Sequence, residues 1–273
     1  MSSLSEVLTL TSFDALRGKS AVITGSTSGI GLGIAQAFAS AGINVALNGF
    51  GDADEIEENR AAMEAAGVKA IYNGADMTKP DEIKDLITEA EDTFGAVDIL
   101  VNNAGIQYVE KIEEFPDHKW EAIIAINMSS SFYTIKAALP GMKERGYGRI
   151  MNIASAHGLT ASPYKAAYVA AKHGVVGLTK VVALEVAEEN ITSNAICPGY
   201  VKTPLVEGQI ADQAKVHNMT AEEVVREVIL ERQPNKRFID VDELAGLALF
   251  LATPAGRSMT GRAITVDGGW TAK

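Results

Sequence analysis

Short apolar segments alternate with helix-like segments along this chain, and this alternation restricts the possible folds more than any other feature. The first four strand-then-helix units lack a hairpin signal, which favours parallel strands joined by right-handed crossovers. We therefore predict an α/β fold with a doubly wound parallel sheet of about seven strands and helices on both faces. Predicted strands cover residues 19–24, 43–48, 68–74, 97–101, 150–155, 191–197 and 263–267, and predicted helices cover residues 29–40, 53–66, 79–94, 120–145, 164–189 and 240–252.

A glycine-rich turn with the spacing G-x-x-x-G-x-G joins the first strand to the first helix. A strand, a glycine-rich turn and a helix together present backbone N–H groups and a helix N-terminus to a phosphate. Glycines also serve ordinary tight turns, but this position favours dinucleotide binding in a Rossmann-like fold. The predicted cofactor-binding residues here are Gly25, Thr27, Ser28, Gly29, Ile30 and Gly31.

The end of the second strand is where the adenosine ribose of a dinucleotide is expected. No Arg or Lys lies there, and Ser28 is not basic, so the sequence favours NAD over NADP, whose 2′-phosphate needs a cation. No carboxylate stands at the strand end either, and Asn48 or backbone groups are the alternatives for holding the ribose. Phe50 lies against the adenosine or is an ordinary loop aromatic. Asp76, followed by Met77, meets the adenine amino group or caps the next helix.

Small residues also follow the fourth and sixth strands. They let the backbone pass close to a cofactor, and the second set suits the nicotinamide side. Gln107 follows the fourth strand on the ligand side of an open parallel sheet. The predicted cofactor-binding residues in these two turns are Asn103, Ala104, Gly105, Pro198, Gly199, Val201 and Thr203.

Ser155, Tyr168 and Lys172 are the candidate chemical groups. Tyr168 and Lys172 are four residues apart and therefore share one helix face. A phenol has a pKa near 10, and an ammonium about 4 Å away lowers that pKa enough for general-base work only in a partly dry cleft. Taken alone, the pair is more simply a core aromatic and a surface cation. Asn127 is a polar amide in an apolar helical segment, which favours an interhelical hydrogen bond and is also compatible with a role in proton relay.

The composition restricts the class of partner. A formal net charge of −11 argues against nucleic acid and anionic membranes. The single cysteine, Cys197, fits a reducing compartment, and the first residues lack the pattern of a signal peptide, so we expect a cytoplasmic protein. The four histidines are scattered and predict no metal site, and no apolar run approaches the length of a membrane span.

The 273 residues contain no linker-like stretch, which predicts a single domain over residues 17–273 after a loosely attached tail of residues 1–16. Residues 202–236 are charged, long for a connection and only partly periodic. Such a segment is typical of a lid over a site.

These motifs in this order resemble the short-chain dehydrogenase/reductase family over about residues 17–270. The resemblance implies that Tyr168 is the acid/base, that Lys172 lowers its pKa and binds the nicotinamide ribose, and that Ser155 orients the substrate oxygen. It also implies that Asn127 holds a proton-relay water. Family members are usually tetramers with the 164–189 helix in an interface, and its apolar residues Val175, Val176, Leu178 and Val182 are compatible with that.

The substrate side resembles the branch of this family that oxidises D-3-hydroxybutyrate to acetoacetate with NAD. In that branch five matching residues surround the substrate carboxylate, and here they are Gln107, His157, Lys165, Gln209 and Trp270. A buried carboxylate requires a cation and hydrogen bonds, which Lys165 and the neighbouring donors supply. Tyr164 departs from the pattern and could narrow the pocket mouth.

Two other functions are weighed against this hypothesis. One is a sister enzyme, such as a 3-oxoacyl thioester or sugar reductase, which the missing 2′-phosphate cation disfavours. The other is a non-catalytic dinucleotide-binding or assembly protein, which has no need of Tyr168 and Lys172 together.

Overall fold

The computed structural model describes residues 12–203, 206, 210, 214 and 218–272. They form one seven-stranded sheet in the order β3-β2-β1-β4-β5-β6-β7, and all neighbouring strands are parallel. The predicted Rossmann-like α/β architecture is therefore confirmed. The strands are β1 (Ser20–Ile23), β2 (Asn44–Asn48), β3 (Ala70–Asn73), β4 (Ile99–Asn102), β5 (Gly148–Ile153), β6 (Ile191–Pro198) and β7 (Ala263–Val266).

Helices cover both faces of the sheet, as the short apolar strands require. β5 and β6 are buried at every position, so both of their faces need apolar partners. The main helices are α1 (Gly29–Ser40), α2 (Ala53–Ala65), α3 (Pro80–Phe94), α4 (Asp117–Ile124), α5 (Ser130–Arg145), α6 (Ala166–Glu185) and α7 (Val241–Ala252). One apolar core joins α1 and α7 to one face, and a second joins α3 and α5 to the other.

Three predicted helix boundaries were wrong by two or more residues: two helix starts, and the end of α6, which lies at Glu185 and not at residue 189. The helix predicted from residue 120 begins at Asp117, where the polar first turn hides the start, and a π segment at Ala125–Ser129 separates α4 from α5. The helix predicted from residue 164 begins at Ala166, because Tyr164 has a left-handed φ of 67° that cannot continue a helix.

The predicted N-terminal tail extends too far. A 3-10 helix covers Phe13–Leu16, and the side chain of Leu16 is fully buried in the core. This turn was too short to give a periodic signal. Residues 1–11 of the predicted tail lie outside the described residues.

The predicted lid of residues 202–236 is described only in part, since residues 204, 205, 207–209, 211–213 and 215–217 lie outside the description. Its final part contains a helical turn at Ala221–Glu223 and a π segment at Val224–Ile229. The Lys236 ammonium donates to three carbonyl oxygens of this part. The chain then returns to the sheet edge through a parallel bridge between Val201 and Ile239. Lid motion stays a prediction.

Two helical stretches have the length and apolar composition of a membrane span, contrary to the expectation from the sequence. They are residues Asp117–Arg145 and Ala166–Glu185, of which 39% and 44% of the apolar window is buried inside the protein. Both stretches contribute apolar side chains to the cores beside the sheet. Packing within this chain therefore explains why those side chains are apolar.

The α6 face named for an interface packs largely within the chain. Val175, Val176 and Val182 are buried in its own cores, because α6 lies directly against β5 and β6. Val181 and Leu184 are the large apolar side chains of α6 that remain exposed. Three of the four residues named from the sequence are therefore covered by this chain itself, and an interface on this helix stays a prediction.

Candidate active site

The predicted site residues meet at one edge of the sheet. Parallel strands place all their carboxyl ends at the same edge, and the strand order reverses between β1 and β4. Such a reversal leaves a crevice outside the strand ends, which is where open α/β sheets bind ligands.

Close backbone packing shapes the glycine-rich turn after β1. A Cβ added at Gly25 would lie 2.8 Å from the Cα of Ala104, and one at Gly31 would clash with the carbonyl oxygen of Gly25. The Asn103 amide donates to the Gly25 carbonyl at 2.7 Å, which ties the turn to the end of β4. A Cβ at Gly29 would touch Thr203 at 3.7 Å. The structure thus brings together turns that are far apart in the sequence.

The start of α1 offers free donors to this crevice. Ser28 is the N-cap and its side chain makes no capping hydrogen bond. The N–H groups of a first helical turn have no partner within the helix, and they favour an anion. The cradle therefore fits the pyrophosphate of a dinucleotide, which supplies the hydride acceptor when it is bound.

At the end of β2 the structure excludes one of the two alternatives for holding the adenosine ribose. Asn48 is fully buried, and its amide donates to the carbonyl oxygens of Asn73 and Ala75 and accepts a bond from the Gly25 N–H. It is therefore a structural residue and not a ribose ligand. Phe50 is 70% exposed beside the turn, so its ring is open to a ligand.

Asp76 does not cap the next helix, whose N-cap is Lys79. Its carboxylate instead accepts from the N–H and the hydroxyl of Thr78, which together hold its pKa below the usual range. Met77 beside it is buried. The contact of Asp76 with adenine stays a prediction.

Gly31→Ala is expected to abolish dinucleotide binding. The new Cβ would displace the Gly25 carbonyl and the Asn103 amide that shape the cradle. Gly246→Ala is the matched control, because no atom lies within 4 Å of its added Cβ and alanine favours helices. Calorimetric titration with NAD measures both variants, and unchanged affinity in Gly31→Ala would contradict the assigned cradle.

Lys172 is buried beside the end of β5. Its ammonium donates to the carbonyl oxygen of Ile153 at 2.7 Å and lies 5.6 Å from the centroid of the Tyr168 ring. A hydrogen bond from the Asn152 amide to the Thr179 hydroxyl, at 2.8 Å, fixes α6 against β5. The register of α6 thus brings Tyr168 and Lys172 to the strand end.

The direction of the Tyr168 pKa shift differs from the prediction. Burial raises the pKa of the phenol, and the hydrogen bond with Ser155 opposes this without reversing it. Burial also lowers the pKa of Lys172 to about 8, because its ammonium loses hydration. The Tyr168 side chain lies deep in the cleft, so desolvation outweighs the hydrogen bond with Ser155. In these surroundings the phenol alone is a poor base at neutral pH.

The oxidation rate should therefore rise with pH. The base form of Tyr168 is scarce below its raised pKa, so kcat/KM for oxidation should increase about tenfold per unit between about pH 6 and pH 8. The reverse reduction, which uses the protonated phenol, should not rise over that range. Initial rates in both directions test this, and a flat oxidation profile would contradict Tyr168 as the base.

Asn127 is committed to the backbone of the loop after β4. Its side-chain oxygen accepts from the Ile106 N–H at 2.8 Å, and its amide donates to the Ile106 carbonyl at 2.9 Å. The π segment at Ala125–Ser129 carries this buried side chain. The expected hydrogen bond to another helix was wrong, because the partner is a loop, and the proton relay stays a prediction.

Aromatic rings form the substrate end of the cleft. The His157 ring lies edge-on to Tyr168 and Trp270, with centroid distances of 6.0 and 5.1 Å. Tyr200 stacks on Trp270 at 5.3 Å, and the Lys165 ammonium lies 5.9 Å from the Tyr200 centroid. The structure thus gathers His157, Lys165 and Trp270 around Tyr168, with Tyr200 as a wall that sequence reasoning missed.

The two titratable residues among the predicted carboxylate partners, His157 and Lys165, differ in charge. Burial, followed by the charges of Lys165 and Arg232, lowers the pKa of His157 to about 4, so the ring is neutral at physiological pH. Its Nε2 shares a hydrogen bond with the Ser162 hydroxyl at 2.8 Å. Lys165 is half-buried, and its pKa is lowered by burial and then by Arg232. Lys165 therefore brings the charge and His157 brings a neutral ring nitrogen.

The remaining predicted residues are less informative. Gln107 is exposed within the loop after β4, and Gln209 lies outside the described residues. Pro198 and Gly199 end β6, where the Gly199 N–H donates to the Val266 carbonyl, and Val201 is buried beside them. Arg232, from the predicted lid, was not identified because nothing in its local sequence distinguishes it from other surface cations.

A cavity of about 490 Å³ opens on the outer side of the loop before α6. Lys165 and Ser162 line it together with Glu110 and His173, whereas Ser155, Tyr168 and Lys172 do not. It is therefore not the reaction cleft, although the two share Lys165.

The chain is similar to proteins that are named as dehydrogenases and reductases. Residues 25–271 match the family model described as Enoyl-(Acyl carrier protein) reductase. A D-beta-hydroxybutyrate dehydrogenase of Rhizobium meliloti (strain 1021) is 59% identical over 93% of this chain and 99% of that protein, and one of Cupriavidus necator is 54% identical over 94% and 100%. The solved structure of a short-chain alcohol dehydrogenase from Sinorhizobium meliloti 1021 is similar with a TM-score of 0.85 and 32% identity over 96% of this chain and 99% of that chain. The chain therefore belongs to the short-chain dehydrogenase/reductase family, whose cofactors are nicotinamide dinucleotides.

Proposed function

We propose that this protein oxidises D-3-hydroxybutyrate to acetoacetate with NAD as the hydride acceptor. The observation that carries the proposal is the position of Lys165, a half-buried cation, on the same aromatic pocket as the candidate acid/base Tyr168. A cation in such a place favours a short substrate with a carboxylate a few atoms from the reacting carbon. The names of the two most similar relatives described above support the same substrate.

Each residue of the pocket has a separate role in this reaction. Tyr168 accepts the proton of the substrate hydroxyl and Ser155 orients that oxygen, while a bound dinucleotide would supply the acceptor for the hydride of C3. Lys165 and His157 hold the carboxylate, while Trp270 closes the pocket beside the methyl group. In the reverse direction Tyr168 returns the proton to the carbonyl oxygen of acetoacetate.

The preference for NAD over NADP is also our proposal. Residues 48–51 at the end of β2 bring no cation for a 2′-phosphate. The nearest arginine along the chain, Arg60, is paired with Glu57 and Glu64 on α2. A bound 2′-phosphate would therefore lose its water without gaining a partner.

The proposal is tested by mixing the protein with NAD or NADP and each enantiomer of 3-hydroxybutyrate, and by following reduced nicotinamide. We expect turnover of the D enantiomer with NAD. Rapid reduction of a 3-oxoacyl thioester with NADPH, and none of the free acid, would favour a sister enzyme. Full function in Tyr168→Phe would favour a non-catalytic assembly protein.

We also propose a homotetramer that works in the cytoplasm. The exposed apolar side chains Val181 and Leu184 on α6 support burial against another copy, although they are not the residues expected from the sequence. The buried thiol of Cys197, whose pKa burial raises to about 11, is compatible with a reducing compartment. Light scattering after gel filtration, and fractionation of cells, test the two statements.

A further inference from the structure

Arg232 connects the end of the lid to the loop that leads into α6. Its guanidinium donates from Nη1 to the carbonyl oxygen of Ala161 at 2.8 Å, across 71 residues of sequence. Ala161 lies in residues 159–165, between the short turn Ala156–Gly158 and the start of α6. We call residues 159–165 the pocket loop.

The pocket loop carries the groups that bind the substrate carboxylate in the proposed function. Ser162 holds the Nε2 of His157 at 2.8 Å, and Lys165 is the last residue of the loop. Ser162 and Lys165 lie in the same short loop as Ala161, so the hydrogen bond from Arg232 to the Ala161 carbonyl also restrains their positions. A hydrogen bond from a charged donor is stronger than one between neutral groups, so this attachment reinforces the one that the Glu110 N–H makes to the Tyr164 carbonyl at 2.9 Å.

The charge of Arg232 is not neutralised by a described carboxylate. The neighbouring arginines along the chain, Arg226 and Arg237, pair with Glu227 and Glu243. Among the described ion pairs none includes Arg232. Its field reaches the pocket, since its charge contributes, after burial, to the lowered pKa of both His157 and Lys165.

We propose that Arg232 is a positioning residue that holds the pocket loop and adds a second positive charge to the pocket, and so selects an acid over a neutral substrate. This inference rests on the proposed function and assigns the selectivity to a residue of the lid as well as to Lys165. Two cations whose charges reach one small pocket repel each other, and a bound carboxylate relieves that repulsion.

The test compares Arg232→Gln, which keeps a donor but removes the charge, with Arg232→Lys, which keeps the charge. Arg232→Gln should raise KM for D-3-hydroxybutyrate about tenfold, while kcat and the affinity for NAD change by less than about twofold. KM for the neutral methyl ester of the same substrate should not rise. Arg232→Lys should restore most of the affinity for the acid. Arg226→Gln, on the same segment, should leave all of these values unchanged.

Calorimetric binding of butyrate, which carries the carboxylate but cannot react, separates this inference from the proposed function. If the wild-type protein binds butyrate and Arg232→Gln binds it equally tightly, the inference is overturned and the proposed function stands. An equal rise of KM for acid and ester, or a loss in Arg232→Lys as large as in Arg232→Gln, would also overturn it. If the wild-type protein neither binds butyrate nor oxidises the acid, both fail.

Arg232 is exposed, so neither variant should disturb the fold. Thermal unfolding of the variants checks this point. A shift in KM for the acid alone is a readout that general destabilisation would not give, because the ester uses the same pocket and the same Tyr168.

Discussion

Tyr168→Phe should lower kcat about a thousandfold, within the range expected for the loss of a general acid or base. The phenylalanine ring keeps the edge-on contact with His157, so the pocket should retain its shape. Binding of NAD should change little, because the glycine cradle lies on another strand end. Stopped-flow measurement of reduced nicotinamide, together with calorimetric binding of NAD, gives both numbers.

Tyr164→Phe is the matched control for that loss. Tyr164 is an exposed phenol four residues earlier, and its backbone carbonyl accepts from the Glu110 N–H whether or not the hydroxyl is present. Its kcat should stay within about twofold of the wild-type value, since no proton transfer uses it. Equal losses in the two variants would mean that the phenol of Tyr168 has no special role.

Lys165→Ala should raise KM for D-3-hydroxybutyrate about a hundredfold, because truncating one partner of a desolvated charge pair costs several kcal/mol. The lost group is half-buried above the Tyr200 ring, so water cannot replace it fully. The affinity for NAD should remain close to that of the wild-type protein. Steady-state kinetics at several concentrations of the acid measure the effect.

The control for Lys165→Ala is Lys111→Ala. Lys111 is an exposed lysine that pairs weakly with Glu114, at 3.8 Å, on the surface. Lys111→Ala should leave KM for D-3-hydroxybutyrate unchanged. If Lys165→Ala weakened the binding of NAD and of the acid equally, its role would be in the cofactor site or in folding.

Local pattern was sufficient to predict the sheet and the cofactor cradle. Short apolar strands, each followed by a helix-like segment, determine a parallel sheet, and the glycines at 25, 29 and 31 act within one turn of the chain. The pairing of Tyr168 with Lys172 depends only on helix periodicity. Such features depend on residues close together in the sequence, so the sequence alone is enough to predict them.

The features that were missed depend on contacts between distant segments. The role of Asn48 is decided by the carbonyl groups of Asn73 and Ala75, which are 25 and 27 residues further along the chain. The pKa of Tyr168 depends on desolvation, which no local pattern records. The hydrogen bond between Arg232 and Ala161 joins residues 71 positions apart in the sequence.

The apolar face of α6 that was expected at an interface packs largely inside the chain, and it was missed for the same kind of reason. Apolar residues lie on more than one side of α6, and only the position of β5 and β6 decides which side is buried in the chain. Sequence periodicity shows that a helix has apolar faces, but it does not say which neighbour covers each of them.

The most direct test of the account compares kcat/KM for D-3-hydroxybutyrate and for its methyl ester in the wild-type protein with NAD. The two compounds share the reacting carbon and the methyl group and differ in the charge that Lys165 would meet. The account predicts that the acid is preferred by at least about a hundredfold, the value of one desolvated charge pair. An ester that is oxidised as efficiently as the acid would contradict it.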